Sequence, residues 1–245
     1  MAYAFTAASS HNITFGDQAE YDNFGVATAS IACWSYSASY AQTGGLLCKR
    51  DAYLTSAAIS LYIVNPGVAW CDFSDCLYYS NGAAPTNSAW NHHAATYNGA
   101  AGVGARVIYY MNGVAQSMGV NNEATNNIGN STAGLRFGQI NETGPAYFEG
   151  RLCEGALWNV TLDAAEVAAL AKGFSPQMVR PSALKFYAPL VNEALDRRNS
   201  YAGTVTGASV IAHPRMIYPA KSKIGFPAAA AAAAYTPRLT LLGVG

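Results

Sequence analysis

At 245 residues the chain is long enough to bury one large β core, or one core plus an arm. Charged residues make up only 11% of it, against about 25% in ordinary soluble domains, and 14 basic side chains cancel 14 acidic ones. That balance excludes the basic face on which nucleic-acid binding depends, and no apolar run reaches the roughly 20 residues of a membrane-spanning helix.

The elements read in chain order as short strands between turn clusters. Ile13–Phe15 precedes Gly16-Asp17, and Ala29 to Tyr36 alternates around Trp34. Gly44-Gly45 leads into Leu46–Lys49, and the apolar run Ile59–Val64 is closed by the turn cluster Asn65-Pro66-Gly67. Trp70 to Tyr79 follows, then the loop Ser80–Pro85, then Trp90–Tyr97 and Ala105–Met111. Asn112-Gly113 is a two-residue hairpin signal, because both positions favour positive φ. Leu135–Gly138 and Tyr147–Trp158 complete the series, which indicates a sandwich or barrel. One helix is expected near residues 162–172, opened at Asn159 or Thr161, with Glu166 in its first turns, Val167, Leu170 and Ala171 on one face, and a stop at Gly173 and Pro176.

Beyond Pro176 the texture changes. Leu184–Leu190 reads as one more strand and Thr204–Ile211 as a small hairpin or extended segment. Pro214, Pro219, Pro227 and Pro237 then interrupt regular structure. The run Ala228–Ala234 and the apolar end Leu239–Gly245 complete a segment expected to dock on neighbouring subunits. The expected division is therefore a jelly roll over 1–190 and an extended C-terminal arm over 191–245.

The order Trp90-Asn91-His92-His93-Ala94-Ala95-Thr96-Tyr97-Asn98-Gly99, then Ile108–Val114, Leu135–Gly138, and Phe148-Glu149-Gly150 through Trp158, Leu162 and Glu166, resembles the laminin-G-like jelly rolls of the concanavalin A-like superfamily. The resemblance implies an all-β, two-sheet jelly-roll sandwich. The trailing segments Arg180–Leu184, Gly203–Gly207 and His213-Pro214 are similar to laminin-G-like proteins of tailed bacteriophages, which implies a virion context.

Some relatives of this fold are glycoside hydrolases, which need two carboxylates about 5–10 Å apart. Here the acidic E-x-D-x-x-E pattern is absent, and Glu149 and Glu154 would fall on opposite faces of a continuous strand, so no enzyme and no catalytic residue are expected. His92 and His93, being adjacent in a strand, cannot jointly hold one ion, and His92 is expected to be a hydrogen-bonded structural residue. Asp51, Asp72 and Asp75 are the candidate oxygen ligands for calcium, without the dense loop that calcium favours, so no metal or cofactor is expected. Trp70, Asp72, Tyr78, Tyr79 and Asn81, with Phe73 beside them, form the candidate carbohydrate-binding set, because aromatic faces and short polar groups suit a pyranose ring. Core or subunit packing is the alternative role for these aromatics.

The first residues show neither a basic stretch nor a Leu-rich segment, so no secretory signal is expected. Cys33, Cys48, Cys71, Cys76 and Cys153 are then expected as buried free thiols, with a Cys71–Cys76 bridge the alternative. The four Asn-x-Ser/Thr sequons at Asn12, Asn130, Asn141 and Asn159 read as chance. The phage resemblance, together with the low charge, the apolar end and the absent catalytic set, implies a non-enzymatic virion structural protein, in capsid decoration or the tail. It would assemble in the host cytoplasm with copies of itself and a major virion protein. The alternative is a lectin or adhesion module for host or environmental glycans.

Overall fold

Alternation of apolar and polar residues builds two antiparallel sheets whose apolar faces close on each other. The computed structural model describes residues 2–51, 59–124, 126–141 and 145–219. In chain order its strands are β1 (Ala2–Phe5), β2 (Asn12–Thr14), β3 (Thr28–Ser37), β4 (Gly44–Lys49), β5 (Ile59–Val64), β6 (Val68–Phe73), β7 (Cys76–Ser80) and β8 (Ala89–Asn98). They continue with β9 (Val107–Met111), β10 (Val114–Ala115), β11 (Met118–Asn122), β12 (Leu135–Phe137), β13 (Gly150–Trp158), β14 (Leu184–Ala188), β15 (Thr204–Thr206) and β16 (Ser209–Ile211), with the helix α1 (Ala164–Ala171) between β13 and β14. A helix-side sheet runs β10-β9-β8-β3-β13-β1-β16, with β14 also on β13, and a groove-side sheet runs β11-β7-β6-β5-β4-β12-β2-β15. This is the all-β, concanavalin A-like jelly-roll sandwich expected from the sequence.

The core lies between the sheets. Ile31, Tyr97, Leu152 and Leu157 from one side meet Leu47, Leu61, Phe73, Tyr78 and Phe137 from the other, all buried. Phe73 and Tyr97 stack across the gap with centroids 5.5 Å apart and planes at 9°. The five cysteines are free and buried, so Cys71 and Cys76 are not bridged.

The helix rests on a seat of small residues. Cross-strand register places Tyr110, Ala94, Ala32, Ala156 and Tyr187 in one row on the outer face of the helix-side sheet. Three alanines between two tyrosines leave a depression, and Val167 and Leu170 of α1 fill it together with Leu162. The helix begins later than expected. Asp163, not Asn159 or Thr161, is its N-cap: Asp163 accepts from Glu166 N at 2.9 Å, and Glu166 accepts from Asp163 N at 2.9 Å. Thr161 instead donates to the Tyr97 carbonyl at 2.6 Å.

The expected boundary at 190 falls inside the fold. β15 pairs with β2 on the groove-side sheet and β16 pairs with β1 on the helix-side sheet, so residues 204–211 add an edge strand to each layer. Buried Asp196 anchors the preceding turn, accepting from Tyr21 Oη at 3.0 Å and Tyr187 N at 3.1 Å. Residues 191–219 therefore belong to the sandwich. The polyalanine run and apolar end expected to dock on neighbours lie outside the described residues.

Candidate functional site

The outer face of the groove-side sheet is built unlike its counterpart. One cross-strand row reads Gly45, Tyr62, Trp70, Tyr79, Gly119 on β4, β5, β6, β7 and β11. Here three aromatics stand between two glycines, and the row carries no helix. Tyr62 and Trp70 stack with centroids 6.3 Å apart, and Trp70 and Tyr79 lie 5.3 Å apart with planes at 30°. Both glycines are required by close approach. A Cβ at Gly119 would overlap the Tyr79 ring, and one at Gly45 would overlap the Gln139 carbonyl.

Gly44 and Gly45 let two segments, Gln139-Ile140 and Tyr147-Phe148, cross directly over β4. The two are tied by the Gln139–Tyr147 bridge and by Ile140 N donating to the Ala146 carbonyl at 3.0 Å. The crossing segments raise a wall of Ile140, Asn141 and Ala146 at one end of the aromatic row. Between this wall and Tyr62, Val64 and Trp70 lies an open-mouthed hollow of about 340 Å³, with Thr43 and Arg50 on its lining. Trp70 and Tyr79 are half-buried, whereas Tyr62 is covered by the wall and forms the floor.

A buried ion pair lies beside this row. Arg50 is 3.6 Å from Asp72, and its guanidinium carbon sits 5.3 Å from the Tyr62 ring centroid. Burial pushes the Asp72 carboxyl up to about 7, and the Arg50 charge restrains that rise.

The structure thus brings together Trp70, Tyr79 and Asp72 of the residues singled out in the sequence. It turns Tyr78 into the core, where its hydroxyl donates to Glu123. The reason is a hairpin turn at Ser74-Asp75, both at positive φ, inside the stretch from Trp70 to Tyr79. Pairing of Trp70 with Tyr79 puts those two on the outer face and leaves Tyr78, opposite Cys71, inside with Phe73. Asn81 is exposed past the end of β7, its N–H donating to the Ser117 carbonyl at 2.8 Å. Tyr62, Asn141 and the wall were not anticipated; the Asn65-Pro66-Gly67 turn, by setting Val64 opposite Val68, already carried the pairing of Tyr62 with Trp70.

The remaining titratable candidates have other settings. His92 packs edge-on against Trp34 at 5.3 Å on the helix side, and among the described residues its Nδ1 has no hydrogen-bond partner. Its neighbour His93 is hydrogen-bonded in the core, within 2.7 Å of both Ser35 Oγ and Tyr109 Oη. Burial lowers both imidazoles to about 3. Glu149 accepts from Ala7 N at 2.7 Å. Glu154 sits on the bulge of β13 at φ +54, and the hydroxyls of Tyr187 and Tyr218 donate to it at 2.8 and 2.7 Å. Among the described residues no three His, Cys, Asp or Glu side chains converge to hold a metal. Of the candidate calcium ligands, Asp72 is paired with Arg50, Asp75 lies in the hairpin turn, and Asp51 accepts from Thr132 Oγ1 at 3.5 Å.

The family model of the concanavalin A-like lectin/glucanases superfamily, laminin-G type, matches residues 8–168. The chain belongs to this superfamily. No curated protein sequence matches it. Among solved structures, this concanavalin A-like chain is similar to a candidate carbohydrate-binding protein from Bacteroides ovatus, with TM-score 0.55 and 16% identity over 85% of this chain. It spans 58% of that protein's length. It is also similar to a heptameric SAP-like pentraxin from Limulus polyphemus, with TM-score 0.48 and 16% identity over 69% of this chain and 81% of that one. A third similarity is to the enzymatically active domain of tailspike protein 2 from bacteriophage CBA120, with TM-score 0.48 and 12% identity over 78% of this chain and 33% of that one. At these identities the likeness is one of fold.

Proposed function

We propose that this concanavalin A-like domain is a carbohydrate-binding module that holds a glycan across the strands of its groove-side sheet. The observation that carries the reading is the row Tyr62–Trp70–Tyr79, aligned by register, with Trp70 and Tyr79 half-exposed beside a walled hollow floored by Tyr62. A strand spacing of about 4.8 Å sets the two half-exposed rings, Trp70 and Tyr79, at an interval suited to successive sugar units. Such a face has no structural use for half-exposed aromatics, because the hydrophobic effect favours covering them, as α1 covers the opposite face. A glycan panel probed with the wild-type chain and with Trp70→Ala and Tyr79→Ala tests the reading.

A place for this module on a phage particle, as a virion structural protein that displays it, is compatible with glycan binding. It rests on the low charge and the apolar residues 239–245. Deleting residues 220–245 should then prevent incorporation or oligomer formation, and unchanged assembly would remove that reading.

A further inference from the structure

The walled end of the aromatic row differs chemically from its open end. Val64, Ile140 and Ala146 join Tyr62 and Trp70 there, so most of the lining is apolar. A bare pyranose pressed into that end would bury hydroxyl groups without partners, which is costly. Three polar side chains break the apolar lining: Arg50, which is engaged with Asp72 and the Tyr62 ring, and Asn141 and Thr43. Among the described residues Asn141 Oδ1, a buried acceptor, has no hydrogen-bond partner. Thr43 Oγ1 accepts from Asn65 N at 3.2 Å, and its own proton remains available to donate. The hollow therefore offers one acceptor, one donor and an apolar patch within about 340 Å³, inside the range of about 300–1,000 Å³ usual for small-ligand sites.

From this juxtaposition we infer that the hollow takes the acetamido group of an N-acetylhexosamine, so that the glycan class bound is N-acetylated. The amide N–H donates to Asn141 Oδ1, the amide carbonyl accepts from the Thr43 hydroxyl, and the methyl packs against Val64, Ile140 and Ala146. The sugar ring bearing that group lies against Trp70, and the next unit continues over Tyr79. An acetamido group satisfies the Asn141 acceptor, which a hydroxymethyl or methyl substituent cannot do without leaving an apolar or a polar mismatch. The assignment rests on the glycan-binding reading and narrows it.

The test is calorimetric titration of the full chain with chitotetraose and with cellotetraose, which differ in the acetamido group alone, backed by a panel of other glycans in acetylated and unacetylated pairs. The acetylated member of a pair should bind at least about tenfold tighter, as expected when one buried acceptor is satisfied or left empty. In Asn141→Leu that preference should fall below roughly threefold, with the weak binding of the unacetylated member retained. Equal binding of both members, or preference for the unacetylated one, overturns the acetamido assignment and leaves the glycan reading standing. Binding of no member overturns both.

Discussion

Lys49 Nζ lies 3.0 Å from Asp22 Oδ2, and both side chains are fully buried. The same ammonium donates to Asp17 Oδ1 at 2.6 Å and to the carbonyls of Ser131 and Ala133 at 2.8 and 2.6 Å. One lysine thus ties the segment after β2 to the segment before β12 with the kind of oxygen cage a cation would occupy. Removing the charge in Lys49→Met leaves two carboxylates facing each other without a counter-ion, and loss of one partner of a buried pair costs about 3–5 kcal/mol. Urea unfolding should show a loss of that size. Because the cage is already filled, a chelator should leave the wild-type melting temperature unchanged, and a shift with EDTA would contradict this account.

Gly119 is placed to let Tyr79 lie flat across β11. Gly119→Val keeps an extended backbone and adds β-branching that strands tolerate, but it displaces the ring. Glycan affinity should fall by about tenfold or more, because the displaced ring no longer lies in the row. Equal affinity would mean that Tyr79 takes no part in the site.

Acid stability follows from three buried groups. His92 and His93 have folded values lowered from 6.5 to about 3, so the unfolded chain binds their protons first as pH falls below about 6.5. Each therefore withdraws up to about 1.4 kcal/mol per pH unit between those values. Asp72 acts with the opposite sign: its folded value is raised from 3.8 to about 7, so the folded chain holds a proton that the unfolded chain has released. Over that window its contribution to stability grows as pH falls, and it offsets about one histidine. Unfolding free energies measured between pH 7 and 4 should therefore fall less steeply in His92→Phe and more steeply in Asp72→Asn. Parallel curves for the three proteins would contradict the assignment.

The chain between 191 and 219 should be indispensable. It supplies an edge strand to each sheet, the buried Asp196 and the Tyr218 hydroxyl that donates to Glu154. A chain stopped after Leu190 should be recovered aggregated or without a cooperative melt. A cooperative melt equal to that of the full chain would restore the boundary at 190.

The fold was legible where the information is local. Asn112-Gly113 forms the two-residue hairpin loop it signals, with φ of 52° and 80°. The Asp163/Glu166 capping box was within reach too, and the earlier polar residues drew attention only because cap types recur at 159, 161 and 163. The site was half legible. Trp70, Asp72 and Tyr79 share a face because a turn of two residues at Ser74-Asp75 sets their register, and reading the stretch as continuous left Tyr78 among them. The wall was not legible, since Ile140 and Asn141 reach Tyr62 only through the long-range crossing over Gly44 and Gly45. The arm was misread for the same reason: β15 and β16 are three residues each and owe their structure to the edges that receive them.

The aromatic row on the groove-side sheet is proposed to bind glycan. The most direct measurement is glycan affinity of the wild type, Trp70→Ala and Trp34→Ala, the last removing an aromatic from the opposite, helix-side face. Truncating a central contact residue costs about 2 kcal/mol, roughly 30-fold in Kd. The account predicts that loss for Trp70→Ala and wild-type affinity for Trp34→Ala. Equal affinity in all three proteins, or no glycan bound by the wild type, would contradict it.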